Sequence, residues 1–121
     1  MYISPQLLEK VFVKGSLKNT ETGFEFKIKN VVDSGTLGGL KGLSVDGNPV
    51  PTSAISVRSA YGERKADDIT YQNPLPLNYG SELTVQAAGE PLAAGAHSLV
   101  LSIVAVEAGR LDLKISMDLA E

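Results

Sequence analysis

The sequence predicts an all-β fold, an antiparallel β-sandwich of about seven to nine strands with one short helical turn at the N-terminus. Three segments alternate apolar and polar residues with the period of two that is typical of a half-buried strand. Turn-forming residues separate the candidate strands at intervals of about ten residues. The 121 residues, of which 43% are hydrophobic and 21% charged, have the length and composition of one globular domain spanning 1–121.

The N-terminal segment is the only one with a helical pattern. Ser4 is a favourable N-cap residue and Pro5 is favourable in the first turn, so residues 6–10 are expected to complete about one and a half helical turns. A first strand is predicted over 11–18, followed by a turn at 19–23 that makes a hairpin with the next strand. The side chains of this first strand expected to face inward are Val11, Val13 and Leu17.

The three strictly alternating segments are 24–29, 82–87 and 110–119. Two further strands are predicted around 43–45 and 55–58, and the Asp46-Gly47 step between them suits a tight turn with positive φ. The segment 98–106 is apolar on both faces, which predicts a strand that is covered on both sides. One side is the core, and the other is covered by the chain's own loop, by the N-terminal turn or by a partner.

Two segments do not fit a simple strand pattern. The glycine-rich segment 35–44 matches neither the P-loop spacing nor the dinucleotide-binding fingerprint, and we interpret it as the start of a strand that is bulged or closely approached by another backbone. The segment 73–80 is predicted to be a loop, because two prolines cannot donate hydrogen bonds to the ladder of a central strand.

Composition excludes several classes of function. The chain has no cysteine and one histidine, so it has no disulfide, no thiolate metal site and no histidine-rich catalytic centre of its own. A net charge of −3 and a pI of 5.1 argue against a nucleic-acid partner. No segment is apolar over the ~20 residues that a bilayer requires, and residues 1–10 lack the pattern of a secretory signal. We therefore expect a cytoplasmic protein that does not bind membranes and needs no cofactor.

Three side chains are candidates for a ligand or metal site: Asp67, Asp68 and His97. The two carboxylates are adjacent in sequence, and such neighbours usually diverge, so a solvated loop is the simpler interpretation. Without a second histidine or a cysteine, His97 is more often a turn residue bonded to a nearby carbonyl than a metal ligand. No Gly-x-Ser-x-Gly motif or other nucleophile arrangement accompanies them, so the sequence predicts no catalytic residue and no metal site.

Four side chains are candidates for contact with a partner protein: Tyr71, Leu75, Leu77 and Tyr79. They lie in or beside the proline-rich segment 73–80, where a stiff backbone reduces the entropy lost on docking. The sequence thus predicts an apolar surface that a larger subunit or a second copy of the chain could cover.

Three runs resemble the small β subunit of bacterial C-glycoside deglycosidases: 23–28 (GFEFKI), 43–47 (LSVDG) followed by Val50, and 92–97 (LAAGAH) leading into an apolar strand. The resemblance implies an immunoglobulin-like β-sandwich packed against a larger barrel-type α subunit that holds the divalent metal and the catalytic residues. It implies no functional residue in this chain.

The leading hypothesis from the sequence is a non-catalytic accessory subunit of a carbohydrate-active enzyme such as a C-glycoside deglycosidase. A self-associating β-sandwich that binds an unknown ligand is one alternative. Another is a small enzyme whose site forms at a homo-oligomer interface from Asp67, Asp68 and His97.

Overall fold

The structure, a computed structural model that describes residues 4–120, consists of two antiparallel β-sheets that pack as a sandwich. Strands are numbered in chain order. The first sheet contains, in spatial order, β1 (Lys18–Asn19), β2 (Gly23–Lys29), β8 (Glu82–Ala88), β5 (Ile55–Ser59) and β6 (Gly62–Lys65). The second sheet contains β10 (Gly109–Asp118), β9 (Ala96–Ala105), β3 (Gly35–Val45) and β4 (Asn48–Val50), and β7 (Leu75–Leu77) pairs with the beginning of β3. The predicted all-β sandwich is therefore confirmed.

The predicted helical turn is also confirmed, as helix α1 (Pro5–Val11). The Ser4 side chain caps it by accepting a hydrogen bond from the backbone N–H of Leu7 at 3.2 Å. Proline occupies the first turn, where its missing N–H costs no helical hydrogen bond. The helix ends at Phe12, whose backbone is extended. No helix in the described part of the chain is long and apolar enough to cross a membrane.

The predicted strand over 11–18 is wrong. The helix continues through Val11, Phe12 forms only an isolated bridge with Ile28, and a turn follows at residues 14–15. Because the segment is not a continuous strand, its burial does not follow a period of two. Phe12 is buried and stacks on Phe26 with ring centroids 6.0 Å apart, whereas Val13 is half-buried. Only the last residue of the segment, Lys18, belongs to β1, which forms the predicted hairpin with β2.

The three strictly alternating segments form β2, β8 and β10, as predicted. β2 pairs with β8 along its whole length, and β10 pairs with β9 from Gly109 opposite Ala105 to Asp118 opposite Ala96. Alternate side chains of these strands enter one buried cluster that both sheets share. Its fully buried members include Phe26, Val57, Leu83, Val85, Leu99 and Leu101.

β3 is much longer than the strand predicted at 43–45, because the glycine-rich segment belongs to it. Its register with β9 shifts between Leu37 and Gly39 and again between Leu40 and Gly42. Each β-bulge adds one residue to the strand, so a spacing of three residues places Leu37, Leu40 and Leu43 on the same inward face. The bulged strand anticipated from the glycines is confirmed. The turn that follows has positive φ at Asp46 (53°) and Gly47 (83°), as the sequence predicted.

The expectation that all of 73–80 is a loop is wrong for its centre. Leu75–Leu77 form β7, which pairs with β3 through Leu37 opposite Leu75 and Gly35 opposite Leu77. A proline is tolerated here because β7 is short and lies at the edge of the sheet, where the missing N–H leaves no partner strand unsatisfied. The structure has ten strands in residues 4–120, and several are only two to four residues long.

Candidate functional site

A pocket of about 230 Å³ opens between the two sheets, at the end where β2 and β9 finish and β3 and β10 begin. Its buried lining side chains are all apolar, and its charged ones, Lys29, Asp33 and Glu107, are all exposed. The apolar wall includes Val11, Ile28, Leu37, Ile103, Leu111 and Leu113. The pocket therefore has a hydrophobic interior and a charged mouth, which is the usual arrangement of a site for a small ligand.

Glu107 lies at this mouth in a fixed position. Its Oε1 accepts a hydrogen bond from the backbone N–H of Thr36 at 2.9 Å, and its Oε2 accepts one from the Thr36 hydroxyl at 3.0 Å. Hydrogen bonds from the Thr36 N–H, from its own backbone N–H and from the Thr36 hydroxyl lower the pKa of the Glu107 carboxyl group. Glu107 is thus ionised at neutral pH. It has no ion-pair partner among residues 4–120, whose pairs are Lys18–Glu25, His97–Asp46 and Arg110–Asp112.

Asn30 holds the loop that borders the pocket. Its side-chain amide donates to the carbonyl oxygens of Asp33 at 2.7 Å and Leu77 at 2.8 Å, and its Oδ1 accepts from the Val32 N–H at 3.1 Å. These bonds fasten the loop after β2 to β7. Sequence reasoning did not identify Asn30, Thr36 or Glu107. The sequence offered a signal only for Asn30, which directly follows a predicted strand. The side chain of an asparagine in such a position often forms a hydrogen bond with the backbone two residues further along the chain.

His97 lies at the start of β9 and is 8% exposed. Its Nδ1 is 2.6 Å from Oδ2 of Asp46, and its Nε2 is 2.7 Å from the carbonyl oxygen of Ala93. Hydrogen bonds to the Ala93 carbonyl and to the Asp46 carboxylate raise the pKa of His97. Asp46 also accepts from the Ser98 N–H at 2.8 Å, so it ties the β3–β4 turn to β9. Both ring nitrogens of His97 are engaged by the protein itself.

Asp67 and Asp68 lie in a 3-10 turn (Ala66–Asp68), and both side chains are exposed. Neither carboxylate bonds to His97, whose ring contacts Asp46 and Ala93 instead. The feature that organises this region is Arg64, whose guanidinium donates to the carbonyl oxygens of Asp68, Asn73 and Pro74. Among residues 4–120, no group of three or more His, Cys, Asp or Glu side chains is placed to hold a metal ion.

The four predicted partner-binding side chains divide into two groups. Tyr71 and Tyr79 are 58% and 65% exposed, whereas Leu77 is half-buried and Leu75 is 1% exposed. The expectation that the loop displays Leu75 is therefore wrong, because pairing of β7 with β3 turns this side chain into the core. No structural contact tests a binding role for the two tyrosines.

Tyr71 lies against the outer face of the second sheet. A methyl group placed on Gly38 would be 3.5 Å from Cε1 of Tyr71 and 2.9 Å from Cγ2 of Val106, so both side chains rest on the glycine backbone. Val104, near the end of β9, is only 8% exposed. Val106, directly after β9, is 42% exposed. The chain itself thus covers part of this apolar face and leaves Tyr71 and Val106 accessible.

Comparison with known proteins gives one family. A family model described as the hydroxymethylglutaryl-CoA reductase N-terminal domain matches residues 7–120. No curated protein sequence matches the chain. The inferred relationship to the small subunit of C-glycoside deglycosidases is therefore wrong, and so is the accessory role in a carbohydrate-active enzyme that was based on it. The short runs that carried the resemblance lie in β2, at the end of β3 with the turn after it, and in the segment that leads into β9. Because the match extends over nearly the whole sequence, the chain belongs to the family of hydroxymethylglutaryl-CoA reductase N-terminal domains.

Proposed function

We propose that this chain serves a hydroxymethylglutaryl-CoA reductase as its N-terminal domain and docks against the remainder of that enzyme. The observation that carries the proposal is the match to the family over residues 7–120. A domain named for its position in a larger enzyme has the rest of that enzyme as its natural partner. In this proposal the whole chain, 1–121, acts as one domain that positions or stabilises the reductase.

The surface that we propose for docking consists of Tyr71 and Val106 on the outer face of the second sheet. Both are large, exposed and apolar, and both lie on the backbone of Gly38. Lys41, whose side chain folds over Gly39, provides a charged neighbour. A tyrosine and a valine with a charged border resemble the centre and rim of protein interfaces, where tyrosine contributes strongly to affinity.

The proposal is tested by titrating the chain with the remaining domains of the reductase from the same organism, using calorimetry. We expect a saturable complex. Tyr71→Ala and Val106→Asp should each raise the Kd of this complex by about tenfold. The first removes an aromatic anchor, and the second buries a carboxylate without a partner.

Tyr61→Ala is the matched control. Tyr61 is 63% exposed, close to the 58% of Tyr71, but lies in the turn between β5 and β6 of the first sheet. This variant should bind as the unsubstituted chain does. An absence of binding to the reductase would contradict the proposed function. An equal loss for Tyr61→Ala and Tyr71→Ala would contradict only the proposed surface.

A further inference from the structure

The size of the pocket between the sheets limits what it can hold. Its volume is about 230 Å³. An apolar protein cavity of roughly 150 Å³ accommodates benzene, so this pocket has room for about nine non-hydrogen atoms. Its buried lining consists of aliphatic side chains such as Val11, Ile28 and Leu113, which offer no hydrogen bonds. An occupant therefore has a compact apolar body.

The mouth determines which polar group such a ligand can carry. It presents the carboxylates of Asp33 and Glu107 and the single ammonium of Lys29, so its formal charge is negative. The Glu107 carboxylate is held by Thr36 and by its own N–H, and a carboxylate has about four acceptor positions. At least one position remains open. No basic side chain among residues 4–120 pairs with Glu107.

We propose that this pocket binds a small organic cation, with the apolar body of the ligand between the sheets and its ammonium group on Glu107. An ionised carboxylate that is already oriented by hydrogen bonds receives a cation without the cost of fixing its own side chain. Anionic ligands are disfavoured, because their charge would lie beside two carboxylates. This inference does not depend on the assignment to the reductase family.

The test is a titration of the full chain near neutral pH. Binding is monitored through the chemical shifts of the backbone amides. The probe is 2-phenylethylamine, which has the appropriate size. Its comparison ligands are 2-phenylethanol, of equal size without charge, and phenylacetate, which carries the opposite charge. We expect saturable shifts around Thr36, Ala105 and Glu107, and a Kd about three- to fivefold lower for the amine than for the alcohol. Phenylacetate should bind more weakly than either.

Two variants separate the contribution of the apolar wall to ligand binding from that of the Glu107 carboxylate. Glu107→Gln should reduce the affinity for the amine to that for the alcohol and leave the alcohol unaffected. Ala105→Leu should eliminate binding of both, because the larger side chain fills the pocket that Ala105 lines. Asp67→Asn is the control, since Asp67 is an exposed carboxylate outside the pocket. If Ala105→Leu does not fold, the three ligands and the Glu107→Gln variant still test the proposal.

Any of four results would overturn the proposal. The amine could produce no saturable shifts at the pocket, phenylacetate could bind as tightly as the amine, or Glu107→Gln could leave the preference for the amine intact. Concentration-dependent shifts at the same residues without any ligand would assign the pocket to a second copy of the chain, which would also overturn it.

Discussion

The contacts of His97 favour the charged form of its imidazole. A neutral histidine has one N–H, and its other ring nitrogen is an acceptor. Here both nitrogens face acceptors, the Asp46 carboxylate at 2.6 Å and the Ala93 carbonyl at 2.7 Å. Only the protonated ring donates to both, and this is the physical origin of its raised pKa. The bond from His97 is also the main cause of the lowered pKa of Asp46.

This pair makes stability depend on pH in a defined direction. The pKa of His97 is raised above the ordinary value of 6.5, so its contribution is complete below about that pH and is lost as pH rises through the folded-state pKa. The pKa of Asp46 is lowered below 3.8, so its contribution is present above that pH and is lost as pH falls through the folded-state value. We expect the urea midpoint of the chain to be lower at about pH 8.5 than at about pH 5.5.

His97→Gln is the informative variant because His97 is the only histidine in the chain. Because the chain has no cysteine, histidine is the one side-chain type present whose ordinary pKa lies between about 5.5 and 8.5. The urea midpoint of this variant should therefore be nearly independent of pH over that interval. A variant with the same pH dependence as the unsubstituted chain would show that the His97–Asp46 pair does not couple protonation to folding.

At the scale of elements, regular alternation decided which strands could be predicted. In β2, β8 and β10 every second residue faces the core, so the sequence shows the strand directly. In β3 two bulges change the spacing of the inward leucines from two to three, so only 43–45 was predicted as a regular strand and the glycine-rich segment only as its bulged start. β7 was missed because the rule that excludes proline holds for central strands, and β7 lies at an edge.

Close backbone approach makes one glycine of β2 indispensable. A methyl group on Gly23 would lie 1.9 Å from the carbonyl oxygen of Ala87 on the neighbouring strand, so the two strands would have to separate. We expect Gly23→Ala to lower the free energy of unfolding by about 2–4 kcal/mol, measured by urea denaturation. Gly42→Ala is the matched control in β3. Nothing lies within 4 Å of its added methyl group, and its effect should be within about 0.5 kcal/mol. Equal effects would contradict the role assigned to close packing at Gly23.

At the scale of the whole molecule, the pocket could not be predicted because its parts are dispersed through the chain. Its wall combines residues from α1, β2, β3, β9 and β10, and its mouth depends on a bond between Thr36 and Glu107, 71 positions apart. Asp46 and His97 are likewise separated by 51 positions. Such contacts are set by strand order, which a list of strands leaves undetermined. The exposed tyrosines needed no strand order and could be proposed from the sequence.

The shared core leads to a prediction about how the molecule unfolds. Leu83 of the first sheet and Leu101 of the second are 1% and 0% exposed and belong to the same buried cluster. If the chain is one domain, neither sheet retains a core when the other is lost, and unfolding is a single transition. We expect circular dichroism and tyrosine fluorescence to give coincident urea transitions. Leu83→Ala and Leu101→Ala should each lower the free energy of unfolding by about 2–5 kcal/mol. Both probes should report the same loss. Two separate transitions, or a substitution that shifts only one probe, would show instead that the sheets unfold independently and that the single-domain assignment is wrong.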